Sequence, residues 1–178
     1  TPRHIKLVKD TDGKERVALD PDTSTSAGSA AAAVLAAGGC IEAVSAVMRG
    51  DVANAFAFVR PPGHHAEADH AKGFCLFNNA AIAACSLIED FGLKRILIVD
   101  WDLHHGNGTQ NSFYETDRIF YVSTHQFPLF PGTGDWKETG RGPGDGYTLN
   151  VPLWAGKGDA DFLHVFRTIV KPAALAYK

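Results

Sequence analysis

Asp100-Trp101-Asp102-Leu103-His104-His105 sets two carboxylates and two imidazoles within six residues, and Gly106-Asn107-Gly108-Thr109-Gln110 follow directly. A surface turn needs glycine and asparagine, but not this concentration of ionisable groups. Asp102 and His104 lie two apart on a segment leaving an apolar run, so both side chains can point to one side. A carboxylate oxygen and a neutral imidazole nitrogen are good ligands for Zn²⁺ or another first-row divalent ion. Taken alone, the two fit equally well a hydrogen-bonded pair that caps the next helix. A second cluster, His64-His65, follows Pro61-Pro62-Gly63. Imidazole titrates near neutrality, so adjacent histidines on a rigid loop can serve as general base and electrostatic partner. Such a base needs a further group to fix its tautomer, and Asp100 and Asn107 are the candidates. Alone, His64-His65 reads as two solvated loop residues; with the second cluster beside it, the two together read as a site.

These groups need elements to hold them. The run from Arg95 to Asp100, RILIVD, is continuously apolar, the pattern of a strand covered on both faces. Asn54–Val59 (NAFAFV) reads as a short buried strand ended by the Pro-Pro-Gly that follows. Arg118–Ser123 and Tyr147–Leu153 read as a third and a fourth strand. An Ala-rich helix is predicted from the capping residues after Asp20 to about Arg49, with a break or a close helix contact at Gly38-Gly39. A second helix runs from Leu76 and is closed by Gly92; a last one starts near Asp159 and kinks at Pro172. Thr1–Asp20 reads as charged and irregular, a hairpin or a loosely tied end. Strand and helix alternate, which predicts an α/β fold with a mainly parallel sheet and helices on both faces. Ligands bind such sheets beyond the carboxyl ends of the strands. RPPGHHAEADH, DWDLHHGN and STHQ follow the first three strands, so the three segments are predicted to converge on one rim.

The totals bound the alternatives. A chain of 178 residues with 45% hydrophobic and 21% charged residues fits one globular domain. A formal net charge of −3 gives no basic footprint for a nucleic acid or an anionic membrane. The longest apolar stretch, Ala30 to Ala37, is too short to span a bilayer, and no secretory leader is visible. Cys40, Cys75 and Cys85 form no CxxC pair, which suits packed thiols in a reducing compartment. An intracellular location follows as an expectation: cytoplasmic, or nuclear in a eukaryote. The oligomeric state is left open.

The segments RPPGHHAEADHAKGFCLFNNAAIAA and ILIVDWDLHHGNGTQNSFYETDRIFYVSTHQFPLFPGTGD closely resemble the histone deacetylase family, with its acetylpolyamine amidohydrolase and acetoin-utilisation relatives. The resemblance runs from about Asp20 to the end. PPGHHA, GFCLFNN, VDxDxHHGNGTQ and FPGTGD occur together and in the family's order, so no single short motif carries it. It implies an arginase/deacetylase-like fold and zinc-dependent hydrolysis of an acetyl-amide, acetyl-lysine in a peptide or an acetylpolyamine. By that resemblance Asp102 and His104 match two of three zinc ligands. His65 matches the general base and acid, and His64 the second histidine, which stabilises charge near the metal and pairs with Asp100. Asn107 matches the partner of His65; some subfamilies have aspartate there, and HHGN is the class II pattern. Phe74 and Phe130 match the aromatic walls of an acyl-lysine tunnel, although as bare residues both read as core. Gly73 matches a backbone contact beside the tunnel, and Asp22 aligns loosely with a rim aspartate that grips the substrate backbone. Two K⁺ sites are implied as well. The inner would use backbone oxygens of Asp100, Asp102, His104 and Thr124 with the side chains of Asp100 and Ser123. The outer would use carbonyls of Phe113, Thr116, Ile119 and Tyr147.

The family's third zinc ligand, an aspartate in a later Gly-rich loop, and its transition-state tyrosine have no match before Lys178. The chain is therefore expected to cover roughly half of a single deacetylase domain. Two ligands hold zinc more weakly than three, and losing an oxyanion donor costs about 10²–10³ in rate. Little activity is expected of the 178 residues alone. Two rivals remain. Arginase-like ureohydrolases bind two Mn²⁺ through Asp-x-His-x-Asp, but the last aspartate would fall at Gly106. A non-catalytic scaffold would have no reason to keep His64, His65, Asp102 and His104 together.

Overall fold

The computed structural model describes Thr1–Tyr177. The chain divides into two compact units, residues 1–93 with 107–112, and residues 94–106 with those from 113 on.

In the first unit the predicted irregular start is a helix, α1 (Pro2–Lys9). Thr1 Oγ1 accepts from His4 N, and Pro2 sits where the helix needs no N–H. His4 and Val8, one turn apart, are its buried face, and His4 Nε2 donates to the Leu76 carbonyl at 2.8 Å. The charged residues dominated the sequence pattern and hid this two-residue stripe. A hairpin is present but not within Thr1–Asp20 as expected: β1 (Val17–Asp20) pairs antiparallel with β2 (Thr23–Thr25), which lies beyond that segment.

Helix α2 (Ser29–Met48) runs unbroken through Gly38-Gly39. Neither the predicted break nor a close helix contact is found there among the described residues: a Cβ on Gly38 would meet nothing, and one on Gly39 would make an ordinary 3.5 Å contact with Val59 Cγ1, which lies outside any helix. At 20 residues and a mean hydropathy of 1.8, α2 has the length and composition to cross a membrane, which the Ala30–Ala37 run alone does not suggest. Ala30 and Ala33 on its face pack with Val8, Ala71 and Leu76 in a buried cluster. Helix α3 (Asn79–Glu89) starts three residues later than predicted and is capped by Asn78, whose side chain accepts from Ala81 N.

Residues 54–59 are not a strand, which corrects the sequence expectation. Among the described residues no strand pairs with them, and Phe56 and Phe58 are 87% and 94% exposed, stacked on each other. An apolar run records a tendency to be buried, but a strand exists only where a neighbour takes its backbone hydrogen bonds. His64-His65 therefore does not follow a strand end, and STHQ lies within β4 (Ile119–Gln126) instead of after it, so of the three predicted rim segments DWDLHHGN alone follows a strand end.

The second unit holds the parallel sheet, in the order β3 (Ile96–Asp100), β4 (Ile119–Gln126), β5 (Thr148–Leu153). The covered strand is β4, with seven of eight residues buried, and not β3, whose Leu97 is partly exposed. That follows from order: β4 has a strand on each side. Asp100, at the end of β3, lies beside Ser123, and Ser123 beside Asn150, so a row of polar residues crosses the sheet there. Between β3 and β4 the chain passes through α4 (Asn107–Phe113), which belongs to the first unit up to residue 112. It closes with α5 (Asp159–Val165), one π-helical turn over Phe166–Val170, and α6 (Lys171–Ala176). Pro172 has no N–H and crowds the carbonyl four residues back. The wide turn before it, with Lys171 N bonded to the Phe166 carbonyl, absorbs that misfit where a kink was predicted. Val165, Phe166 and Val170 pack with Phe120 and Val122 of β4. Cys75 is buried as predicted of a packed thiol, whereas Cys85 is exposed.

Candidate active-site residues

In the first unit the Pro-Gly-His-His segment is anchored to the start of α4. Ala66 N bonds back to the Gly63 carbonyl, and Thr109 N donates to the His64 carbonyl at 3.1 Å. The His64 and His65 rings lie 4.0 Å apart. His65 is buried, and its Nδ1 donates to Asn107 Oδ1 at 2.8 Å, the partnership that the sequence predicts. Two glycines make room for this. A Cβ on Gly108 would strike the Ala66 carbonyl, and one on Gly73 would strike the His65 ring. Gly73 and Phe74 both have positive φ, 56° and 66°, so the chain turns sharply there.

Asp22 stabilises that turn. Its Oδ1 accepts from Gly73 N at 3.1 Å and from Thr23 Oγ1 at 2.7 Å, while Thr23 Oγ1 accepts from Phe74 N. The Thr23 hydroxyl, more than any other neighbour, holds the Asp22 carboxyl below the usual carboxylate range; Asp20, Gly73 N and His65 add to it. Phe74 is not core: it is 65% exposed and walls a cavity of about 430 Å³ with Ser24, Arg60, Pro62 and Leu76. One residue escaped the sequence analysis. Glu67 Oε1 accepts from Asn107 Nδ2 at 2.6 Å, and both Glu67 oxygens accept from Asn111 Nδ2, at 2.9 and 3.0 Å. Its position two residues after His65, opposite asparagines spaced one helical turn, was the available signal.

In the second unit Asp100 closes β3, and its Oδ2 lies 3.1 Å from the Tyr121 hydroxyl, which also reaches the Gly106 carbonyl at 3.2 Å. Burial, then the Asp100 charge, push the Tyr121 hydroxyl well above its ordinary pKa. Asp102 Oδ1 accepts from His104 N at 2.8 Å and lies 3.3 Å from His104 Nδ1. This pair does not cap α4, whose first residue follows Gly106 with no side-chain cap. The capping part of that reading from sequence therefore fails, while its Asp102–His104 hydrogen bond is present. Two donors on one tetrahedral Zn²⁺ with bonds of about 2.0–2.1 Å lie roughly 3.3–3.4 Å apart. The Asp102–His104 spacing fits such an ion as two of its ligands. Among the described residues no group of three His, Cys, Asp or Glu side chains stands ready to hold a metal.

Phe130, 38% exposed, stands edge-on to His104 at 6.0 Å. His105 and His125 are buried with rings 4.8 Å apart. His105 Nδ1 meets Thr133 Oγ1 at 2.8 Å, and His125 bridges Ser123 Oγ and the Gly134 carbonyl, both at 2.9 Å. His105 is thus packed within the loop that follows β3. Of the residues matched to K⁺ binding, Asp100 and Ser123 are side by side, with Thr124 next along β4. The Phe113 carbonyl accepts from Thr116 N and the Tyr147 carbonyl from Tyr121 N.

The second unit carries an Asp-x-His pair beyond the end of β3, and the first unit carries a buried His-Asn dyad beside a second histidine. Comparisons with known proteins agree with the resemblance seen in the sequence. The histone deacetylase domain profile matches residues 1–178. A probable deacetylase of Archaeoglobus fulgidus is 46% identical over the whole chain, which spans 49% of that protein. Histone deacetylase HDA1 of Saccharomyces cerevisiae is 42% identical across the whole chain, 27% of its own length, and human histone deacetylase 9 is 49% identical over 82% of this chain. The crystal structure of the HDA15 HD domain superposes with a TM-score of 0.96 at 44% identity, covering 99% of this chain and 51% of that one. The chain belongs to the histone deacetylase family, in its class II-like group. It spans about half or less of the length of these relatives.

Proposed function

We propose that this chain supplies the proton-transfer residue and two metal ligands of a zinc-dependent deacetylase acting on acetyl-amides, acetyl-lysine in a peptide or an acetylpolyamine. The observation that carries the proposal is the buried His65 ring with Nδ1 bonded to Asn107 Oδ1 at 2.8 Å. With Nδ1 as the donor to Asn107, proton transfer is left to Nε2. Asp102 and His104 would hold Zn²⁺, one per site, which when bound polarises the acetyl carbonyl and lowers the pKa of a water to about 7. His65 Nε2 would take a proton from the attacking water and return it to the leaving amine. His64, its ring against that of His65, stabilises the charge that develops, and Asp100 braces the metal-bearing loop through Tyr121. The family resemblance assigns Phe74 and Phe130 to the walls of an acyl-lysine tunnel, and Asp22 holds Gly73 and so the turn that presents Phe74. The inherited K⁺ sites belong to the same proposal; Asp100 and Ser123 side by side support the inner one.

The test is acetate release from an acetyl-lysine peptide by the full-length natural protein. His65→Ala should lower kcat by about 10²–10⁴, the usual contribution of a general acid-base, with zinc content unchanged. An unaltered kcat would overturn the assignment.

A further inference from the structure

We infer that Glu67 is a positioning residue for His65, acting through the side-chain amide of Asn107. The inference rests on the reading of His65 as the general base and extends it outward by two groups. An asparagine amide has two ends of nearly equal shape and opposite hydrogen-bonding character. Asn107 Oδ1 faces His65 Nδ1 at 2.8 Å and Asn107 Nδ2 faces Glu67 Oε1 at 2.6 Å. A carboxylate only accepts, so a flipped Asn107 would set oxygen against oxygen at the Glu67 end. It would also set N–H against N–H at the His65 end. Asn107 is 3% exposed, so little solvent reaches it to compensate either mismatch.

Glu67 thereby locks the amide, the amide requires a proton on His65 Nδ1, and Nε2 is kept as the basic nitrogen. The lock is itself secured. Asn111 Nδ2 spans both Glu67 oxygens from one turn further along α4, and Glu67 N donates to the His70 carbonyl at 3.0 Å. A neutral partner next to His65 would stabilise an imidazolium less than a carboxylate does. Glu67 restores a negative charge to the chain of hydrogen bonds, one group further out.

The test is a double-mutant cycle on the full-length natural protein, read by ¹⁵N-histidine NMR for the His65 tautomer and by steady-state deacetylation. Wild type should show the Nδ1–H tautomer. Glu67→Gln can present either end of its own amide, so the tautomers should mix and kcat should fall about 10–100-fold with KM unchanged, as when outer partners of functional histidines are lost. Asn107→Asp alone sets two carboxylates against each other and should also lower kcat. When Glu67→Gln and Asn107→Asp are combined, the new glutamine amide can donate to one oxygen of the new aspartate while the other oxygen faces His65. The double variant should therefore recover both the tautomer and kcat to within a few-fold of wild type. Losses that simply add, or a Glu67→Gln protein with unchanged tautomer and kcat, would overturn the inference. The NMR readout is independent of turnover, so it stands apart from a failure of the deacetylase assignment itself.

Discussion

Asp22 shows how one side chain can be tuned by a neighbour of no charge. The Thr23 hydroxyl donates to its carboxylate, and the same threonine oxygen receives Phe74 N, so the depressed pKa and the shape of the Gly73-Phe74 turn share a cause. The folded-state value lies below the ordinary one near 4, so the stabilisation is fully present above about pH 4 and is lost as pH falls through the folded-state value. Carboxyl ¹³C NMR should place the Asp22 midpoint below the ordinary range, and Thr23→Val should move it upward. A midpoint that ignores Thr23→Val would contradict the assignment of cause. Asp22 was legible in the sequence only as a loose match to a substrate-gripping aspartate; its hold on Gly73 N depends on a pairing 51 residues away that no local pattern encodes. Glu67 was missed for the same reason, while His65 and Asn107 were legible because each sits in a dense motif.

At the scale of elements, the placement of the His65 ring depends on space as much as on hydrogen bonds. Gly108, the second residue of α4, has the Ala66 carbonyl where a Cβ would be, and Gly73 meets the His65 ring in the same way. Backbone cannot yield as a flexible side chain does, so Gly108→Ala should cost about 1–3 kcal/mol, the usual penalty of overpacking. For a domain of this size that lowers Tm by several degrees, at roughly 2–4 °C per kcal/mol. Thermal unfolding should show the loss, and Gly92→Ala, where a Cβ meets nothing but φ is +70°, separates clash from backbone strain. A Gly108→Ala protein as stable as wild type would refute the packing argument. The elements that sequence revealed, β3, β4, β5, α2 and α3, each carry a clear apolar period or run. Residues 54–59 carry one too, yet form no strand, because pairing is a property of neighbours. Helix α1 went unseen because only two of its residues, His4 and Val8, are buried.

At the scale of the molecule, the chain forms two compact units, with the His65-Asn107-Glu67 chain of hydrogen bonds in one and the Asp102-His104 pair in the other. The family and the α/β fold were legible from four motifs in order, and a relative sharing 44% identity superposes at a TM-score of 0.96. Metal dependence is the part of the account with most at stake, because both Asp102 and His104 owe their assigned roles to it. The direct test is acetate release from an acetyl-lysine peptide by the full-length natural protein, stripped with a chelator and titrated with Zn²⁺. Activity should vanish on stripping and return as about one equivalent of zinc per site is restored, and Asp102→Ala should shift that return to much higher zinc concentrations. Full turnover in the stripped protein, or a titration that Asp102→Ala leaves unmoved, would contradict the account.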